Sequence, residues 1–127
     1  MKWILLVLFV TSSILSGCGS AKIENTYQGI TPEEAKIMMD TQTVIVLDVR
    51  EQDEFDAGHI PGAVLLPVGA ISGDTAAAVI PEPDSAVLVY CRSGNRSKRA
   101  SAALVELGYS NIYEFGGINT WPYEVDK

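Results

Sequence analysis

Apolar and polar positions alternate in blocks that predict a leader and then short strands and helices in turn. Trp3 to Val10 is unbroken apolar sequence, continuing through Thr11-Ser12-Ser13 to Ile14-Leu15 after the positive start Met1-Lys2. That run is short for a membrane span and fits the apolar region of a secretory leader. Thr31-Pro32-Glu33-Glu34 reads as a helix start: Thr31 caps, Pro32 suits the first turn and Glu34 completes a capping box. The helix runs to about Asp40 and turns Ala35, Met38 and Met39 inward, the methionines as core filler rather than metal ligands. Val44 to Leu47 is a continuous run of the kind found in strands buried on both faces.

Glu51 to Ala57 predicts a short acidic helix stopped by Gly58, followed by the turn His59-Ile60-Pro61-Gly62 and a strand at Ala63 to Leu66. Val68 to Ile80 has weak helical character interrupted by Gly69 and Gly73, and Pro81 to Asp84 is a loop. Ala86 to Tyr90 is a third buried run. A helix from Lys98 to Leu107 carries Ala100, Ala103, Leu104 and Leu107 as its apolar stripe, with Gly108 as a left-handed cap. Asn111 to Glu114 is a last strand. Strands alternating with helices predict an α/β domain with a largely parallel sheet.

Composition adds two constraints. At 127 residues, 47% of them hydrophobic, the chain supports one domain with a real core and needs no disulfide framework. A net charge of −7 argues against nucleic acid as a partner, since phosphate backbones require a basic footprint. The cations are unevenly placed: Arg92, Arg96, Lys98 and Arg99 are four of the nine Lys and Arg. They lie beside Cys91, where a solvated basic patch would oppose the dipole of the following helix, so a local site for a small anion explains them better.

Cys91 stands where a buried strand gives way to a loop and then a helix. Only a thiolate is a good nucleophile, and an ordinary cysteine ionises near about 8.5. The helix start directs free N–H groups and the positive dipole end toward Cys91, Arg92 and Arg96 add charge, and the loop N–H groups can form an anion nest. Gly94 permits a tight turn, and Ser93, Asn95 and Ser97 supply short polar side chains for the loop or the helix cap. An inert buried thiol is the alternative, and the Arg-rich, Gly-containing context weighs against it. The other cysteine is Cys18, so the sequence offers no dithiol motif, no Cys/His cluster and no expected metal or cofactor. His59, the sole histidine, reads as a hydrogen-bonded turn residue rather than a general base.

The stretches Leu47-Asp48-Val49-Arg50, Glu54-Phe55, Gly58 to Ala63, Val89 to Ser97 and Gly116 to Trp121 resemble, in order and spacing, the rhodanese-like sulfurtransferases over about residues 27 to 122. The resemblance implies a small five-stranded, mostly parallel sheet with helices on both faces. It also implies a ping-pong reaction in which Cys91 takes the outer sulfur of thiosulfate or a similar donor as a persulfide and passes it to cyanide or a thiol. Arg92, Ser93, Gly94, Asn95, Arg96 and Ser97 would form the substrate-binding loop, with the two arginines orienting the anionic donor. Asp48 and Arg50 would lie behind it and His59 in a supporting turn. A structural ion-pair network is the equal alternative for Asp48, Arg50 and Glu54. Four residues separate Cys91 from Arg96, where related phosphatases and arsenate reductases have five, so the shorter loop suits sulfur better than a tetrahedral oxyanion. A persulfide carrier or binding module is the rival from outside catalysis.

Leu15-Ser16-Gly17-Cys18 resembles the bacterial lipoprotein signal. The resemblance implies removal of residues 1–17, a lipid on Cys18, a tether over 18–26 and a domain over 27–127, held at a membrane of the bacterial envelope. Gly19 in place of the Asp associated with inner-membrane retention points to the outer membrane in a Gram-negative cell. An uncleaved anchor or a secreted protein with a stray cysteine are the alternatives.

Overall fold

The computed structural model describes residues 26–127, so the leader, Cys18 and nearly all of the tether lie outside the described residues. The elements are β1 (Gln28–Gly29), α1 (Pro32–Thr41), β2 (Ile45–Asp48), α2 (Gln52–Ala57), β3 (Val64–Leu65), α3 (Gly73–Val79), β4 (Val87–Cys91), α4 (Asn95–Glu106) and β5 (Ile112–Gly117). The strands form one sheet in the order β1-β5-β4-β2-β3, and every neighbouring pair is parallel. The chain moves outward from β2 to β3, then returns across β2 to β4. The strand order therefore reverses between β2 and β4, and their carboxyl ends flank the crevice where open α/β sheets place their sites.

Alternation along β4 divides the core. Val87, Val89 and Cys91 join Leu47, Ala76, Ile80, Ala100 and Leu104 on the face covered by α3 and α4. Leu88 and Tyr90 face the other way, with Ala35, Ile60, Phe115 and Trp121. All five residues of β4 are buried, as expected of a central strand covered on both sides.

The local signals act largely as read. Thr31 and Glu34 form a capping box at α1. Gly108, at φ 101°, ends α4: its N–H donates to Val105 O and the Tyr109 N–H to Leu104 O, a Schellman arrangement. Two expectations are corrected. First, α4 starts at Asn95 rather than Lys98, because Gly94 at φ 108° turns the chain within three residues, leaving Arg92 to Gly94 as the loop and Asn95 to Ser97 as the first helical turn. Its buried stripe is accordingly Ser97, Ala100, Ser101 and Leu104, and Leu107 is 44% exposed. Second, Gly73 opens a helix instead of interrupting one, because Ser72 and Thr75 cap it reciprocally. One strand, β1, has no counterpart in the apolar pattern. Its two residues are exposed and join the sheet by backbone pairing to Tyr113 and Glu114.

A bulge in β5 sets the end of the sheet. Val89 pairs with Glu114, yet Cys91 pairs with Gly117, so β5 carries one extra residue there, and Gly116 takes φ 90°. This brings Gly117 against the loop after β4: a Cβ on Gly117 would lie 1.9 Å from Arg92 O and 2.5 Å from Ser93 N. No rotamer change relieves a clash with backbone. We expect Gly117→Ala to lower the unfolding free energy by about 2–3 kcal/mol in urea titration. Gly69→Ala, where nothing lies within 4 Å, should be close to neutral.

Candidate active site

Cys91 is 1% exposed at the carboxyl end of β4, and its Sγ accepts the N–H of Gly94 at 3.0 Å. The contact follows from the chain path. A strand that must become a helix within three residues curls its amides inward, and glycine supplies the left-handed turn. Ser97, one turn into α4 and fully buried, has its Oγ 3.4 Å from the sulfur. Burial pushes the Cys91 thiol up, but the Ser97 hydroxyl and the N–H groups of Ser97, Gly94 and Ser93 outweigh it and hold the thiol below its ordinary value. The arrangement can therefore hold an anion on or next to this sulfur.

The loop residues take different positions. Arg92, Ser93 and Asn95 are exposed at its rim. Arg96 is half-buried and tied by a two-pronged ion pair to Glu54 of α2, Nη1 to Oε2 at 2.7 Å and Nη2 to Oε1 at 2.8 Å. Donation from Arg96, with a smaller share from the Glu51 N–H, holds the Glu54 carboxyl down at about 2 against the pull of burial. The pair joins α2 to the start of α4 and fixes one side of the loop.

Asp48, Arg50 and His59 are not brought to the sulfur. Asp48 accepts Arg50 Nη2 at 2.6 Å and the Tyr90 hydroxyl at 2.6 Å, on the sheet face opposite Cys91. Arg50 Nη2 also donates to Gly58 O at 2.7 Å, and the Tyr90 hydroxyl accepts the Ile60 N–H at 3.0 Å. The network braces the Gly58–Ile60 turn against β2 and β4, and burial together with the Asp48 bond raises the Tyr90 hydroxyl above its ordinary value. His59 stacks on Phe55 with ring centroids 3.9 Å apart, places Nδ1 3.0 Å from Phe55 O, and pairs antiparallel with Asp126. It belongs to the turn and the carboxyl-terminal tail.

Glu114 is the residue the sequence reading missed. It is 5% exposed, and its Oε1 accepts the Ser97 hydroxyl at 2.6 Å and the Gly116 N–H at 2.8 Å. Period-two alternation from the buried Ile112 places position 114 on the inner face, which was the available signal.

The Glu54–Arg96 pair has a pH signature. The folded carboxyl lies at about 2 against an ordinary 4.5, so the unfolded chain binds more protons between those values. The stabilisation is present above 4.5 and is lost as pH falls through about 2. Unfolding free energy should therefore drop more steeply across that window in the wild type than in Glu54→Gln. Equal slopes would contradict the assignment.

Comparison with known proteins agrees with this geometry. The Rhodanese-like domain family matches residues 31–123. The probable adenylyltransferase/sulfurtransferase MoeZ of Mycobacterium tuberculosis is 38% identical over 94 residues, covering 72% of this chain and 24% of that protein, so the chain spans about a quarter of its length. Thiosulfate sulfurtransferase GlpE of Pseudomonas fluorescens is 36% identical over 96 residues, covering 75% of this chain and 84% of that protein. Among solved structures, a rhodanese with anions from E. coli superposes with TM-score 0.62 at 27% identity, covering 67% of this chain and 99% of that one. The BH2092 protein of Bacillus halodurans gives TM-score 0.69 at 26% identity, with 80% and 77% covered. With its parallel five-stranded sheet and a cysteine loop at the switch point, the chain belongs to the rhodanese-like family of sulfurtransferase domains.

Proposed function

We propose that this protein is a thiosulfate sulfurtransferase that works through a persulfide on Cys91. The observation that carries the reading is the sulfur's position, at the end of β4 with the Gly94 N–H 3.0 Å away and the start of α4 behind it. The Cys91 thiolate attacks the outer sulfur of thiosulfate. A Cys91–sulfur bond forms, the donor S–S bond breaks, and its electron pair leaves with sulfite. Cyanide or a thiol then attacks the terminal sulfur, and the pair returns to Cys91 as thiolate. Loop N–H groups stabilise the anion at each stage. Exposed Arg92, which forms no ion pair among the described residues, draws in an anionic donor, while Arg96, held by Glu54, contributes a fixed positive charge at the loop. The relatives named thiosulfate sulfurtransferase support this donor class.

The Leu15 to Cys18 stretch supports a second part of the proposal: residues 1–17 are removed, Cys18 carries a lipid, and the domain works at a membrane of the bacterial envelope.

Purified protein given thiosulfate and cyanide should release thiocyanate and sulfite in equal amounts. Cys91→Ala should reduce turnover to the uncatalysed background. Undiminished turnover in Cys91→Ala, or none in the wild type with thiosulfate, polysulfide or thiol partners, would overturn the proposal.

A further inference from the structure

Glu114 is a buried carboxylate that forms no ion pair among the described residues. Its polar contacts, the Ser97 hydroxyl and the Gly116 N–H, both fall on Oε1. Ser97 in turn has four oxygen or sulfur neighbours: Glu114 Oε1 at 2.6 Å, Gly94 O at 2.9 Å, Gly116 O at 3.3 Å and Cys91 Sγ at 3.4 Å. A serine hydroxyl has one proton to donate. The shortest contact, to a charged acceptor, takes it. The Ser97 hydroxyl that helps lower the Cys91 thiol is thus shared with Glu114, and a Cys91 thiolate competes with the carboxylate for its proton.

The charged groups around this chain do not cancel the carboxylate. Arg96 faces Cys91 from α4, but Glu54 of α2 holds both its outer nitrogens. Arg92 is exposed at the rim. Through Ser97, the titratable group that Glu114 reaches is Cys91.

We propose that Glu114 is a positioning residue acting on Cys91 through Ser97: its carboxylate competes for the Ser97 proton, weakens that hydrogen bond to a Cys91 thiolate, and favours the state in which the site's second negative charge has moved outward onto a bound sulfur. Ionisation of the sulfur, its proton leaving to solvent, places two anions on one buried chain that share the Ser97 hydroxyl. The thiolate therefore works against Glu114. A persulfide does so less, because its charge resides one S–S bond, about 2.05 Å, farther along and the inner sulfur no longer needs the Ser97 proton. Glu114 would thus restrain the empty site and favour the loaded one.

The inference rests on Cys91 as the reactive group, but thiol titration tests it whether or not sulfur is ever transferred. In the full chain, iodoacetamide alkylation of the Cys91 peptide is followed by mass spectrometry as a function of pH. Glu114→Gln should lower the midpoint by about one pH unit, a tenfold faster alkylation below both midpoints. An unchanged or raised midpoint in a variant with wild-type near-UV circular dichroism would overturn the proposal. Should that variant not fold, the wild type decides. The 13C resonance of the Glu114 carboxyl should shift at the pH where Cys91 ionises, and Cys91→Ser should abolish that shift. A Glu114 resonance blind to Cys91 ionisation would likewise overturn it.

Discussion

The site depends on one hydrogen bond, from the Gly94 N–H to Cys91 Sγ at 3.0 Å. It forms because β4 must become α4 within three residues, and the left-handed turn at Gly94 directs the amides of that passage toward the sulfur. The surroundings hold this turn in place. The β5 bulge sets Gly117 against the loop backbone, so close that no side chain fits, and the Asn119 N–H donates to Arg92 O at 3.2 Å. From the other side, the Glu54–Arg96 pair links α2 to the first turn of α4. The Cys91 thiol is lowered here by the Ser97 hydroxyl together with the amides of this turn.

The fold and the site divide their polar groups between the two sheet faces. Cys91, Ser97 and Glu114 lie on the α3–α4 side. Asp48, Arg50 and Tyr90 lie on the opposite side, where their buried bonds close on one another and on the Gly58–Ile60 turn. Such a self-satisfied network stabilises by completing its own hydrogen bonds, and removing one member would leave the others unpaired in a dry interior. The residues that matter to the sulfur and those that matter to the frame are thus separated by the thickness of one sheet.

Much of this was legible in the sequence. β4 shows as an unbroken apolar run, α1 announces itself through Thr31 and Glu34, and the cysteine loop reads as an anion site from Arg92, Gly94 and Arg96. The features that did not show share physical reasons. β1 is held by backbone pairing alone, so its side chains carry no apolar signal. The first turn of α4 is polar because it serves the site, which hides the true helix start. Arg96 meets Glu54 and Ser97 meets Glu114 across separations of 42 and 17 residues, distances over which no local pattern operates. Glu114 closed the predicted last strand with no role of its own, and the pleat of β5 turns it inward beside Ile112.

Under the proposed function, the nest around Cys91 holds sulfur as a persulfide anion. Peptide-level mass spectrometry of the full chain, after thiosulfate and removal of excess donor, reads this species directly. The Cys91 peptide should gain the mass of one sulfur atom and lose it on addition of cyanide. An unmodified Cys91, or a sulfur atom carried elsewhere in the chain, would contradict it.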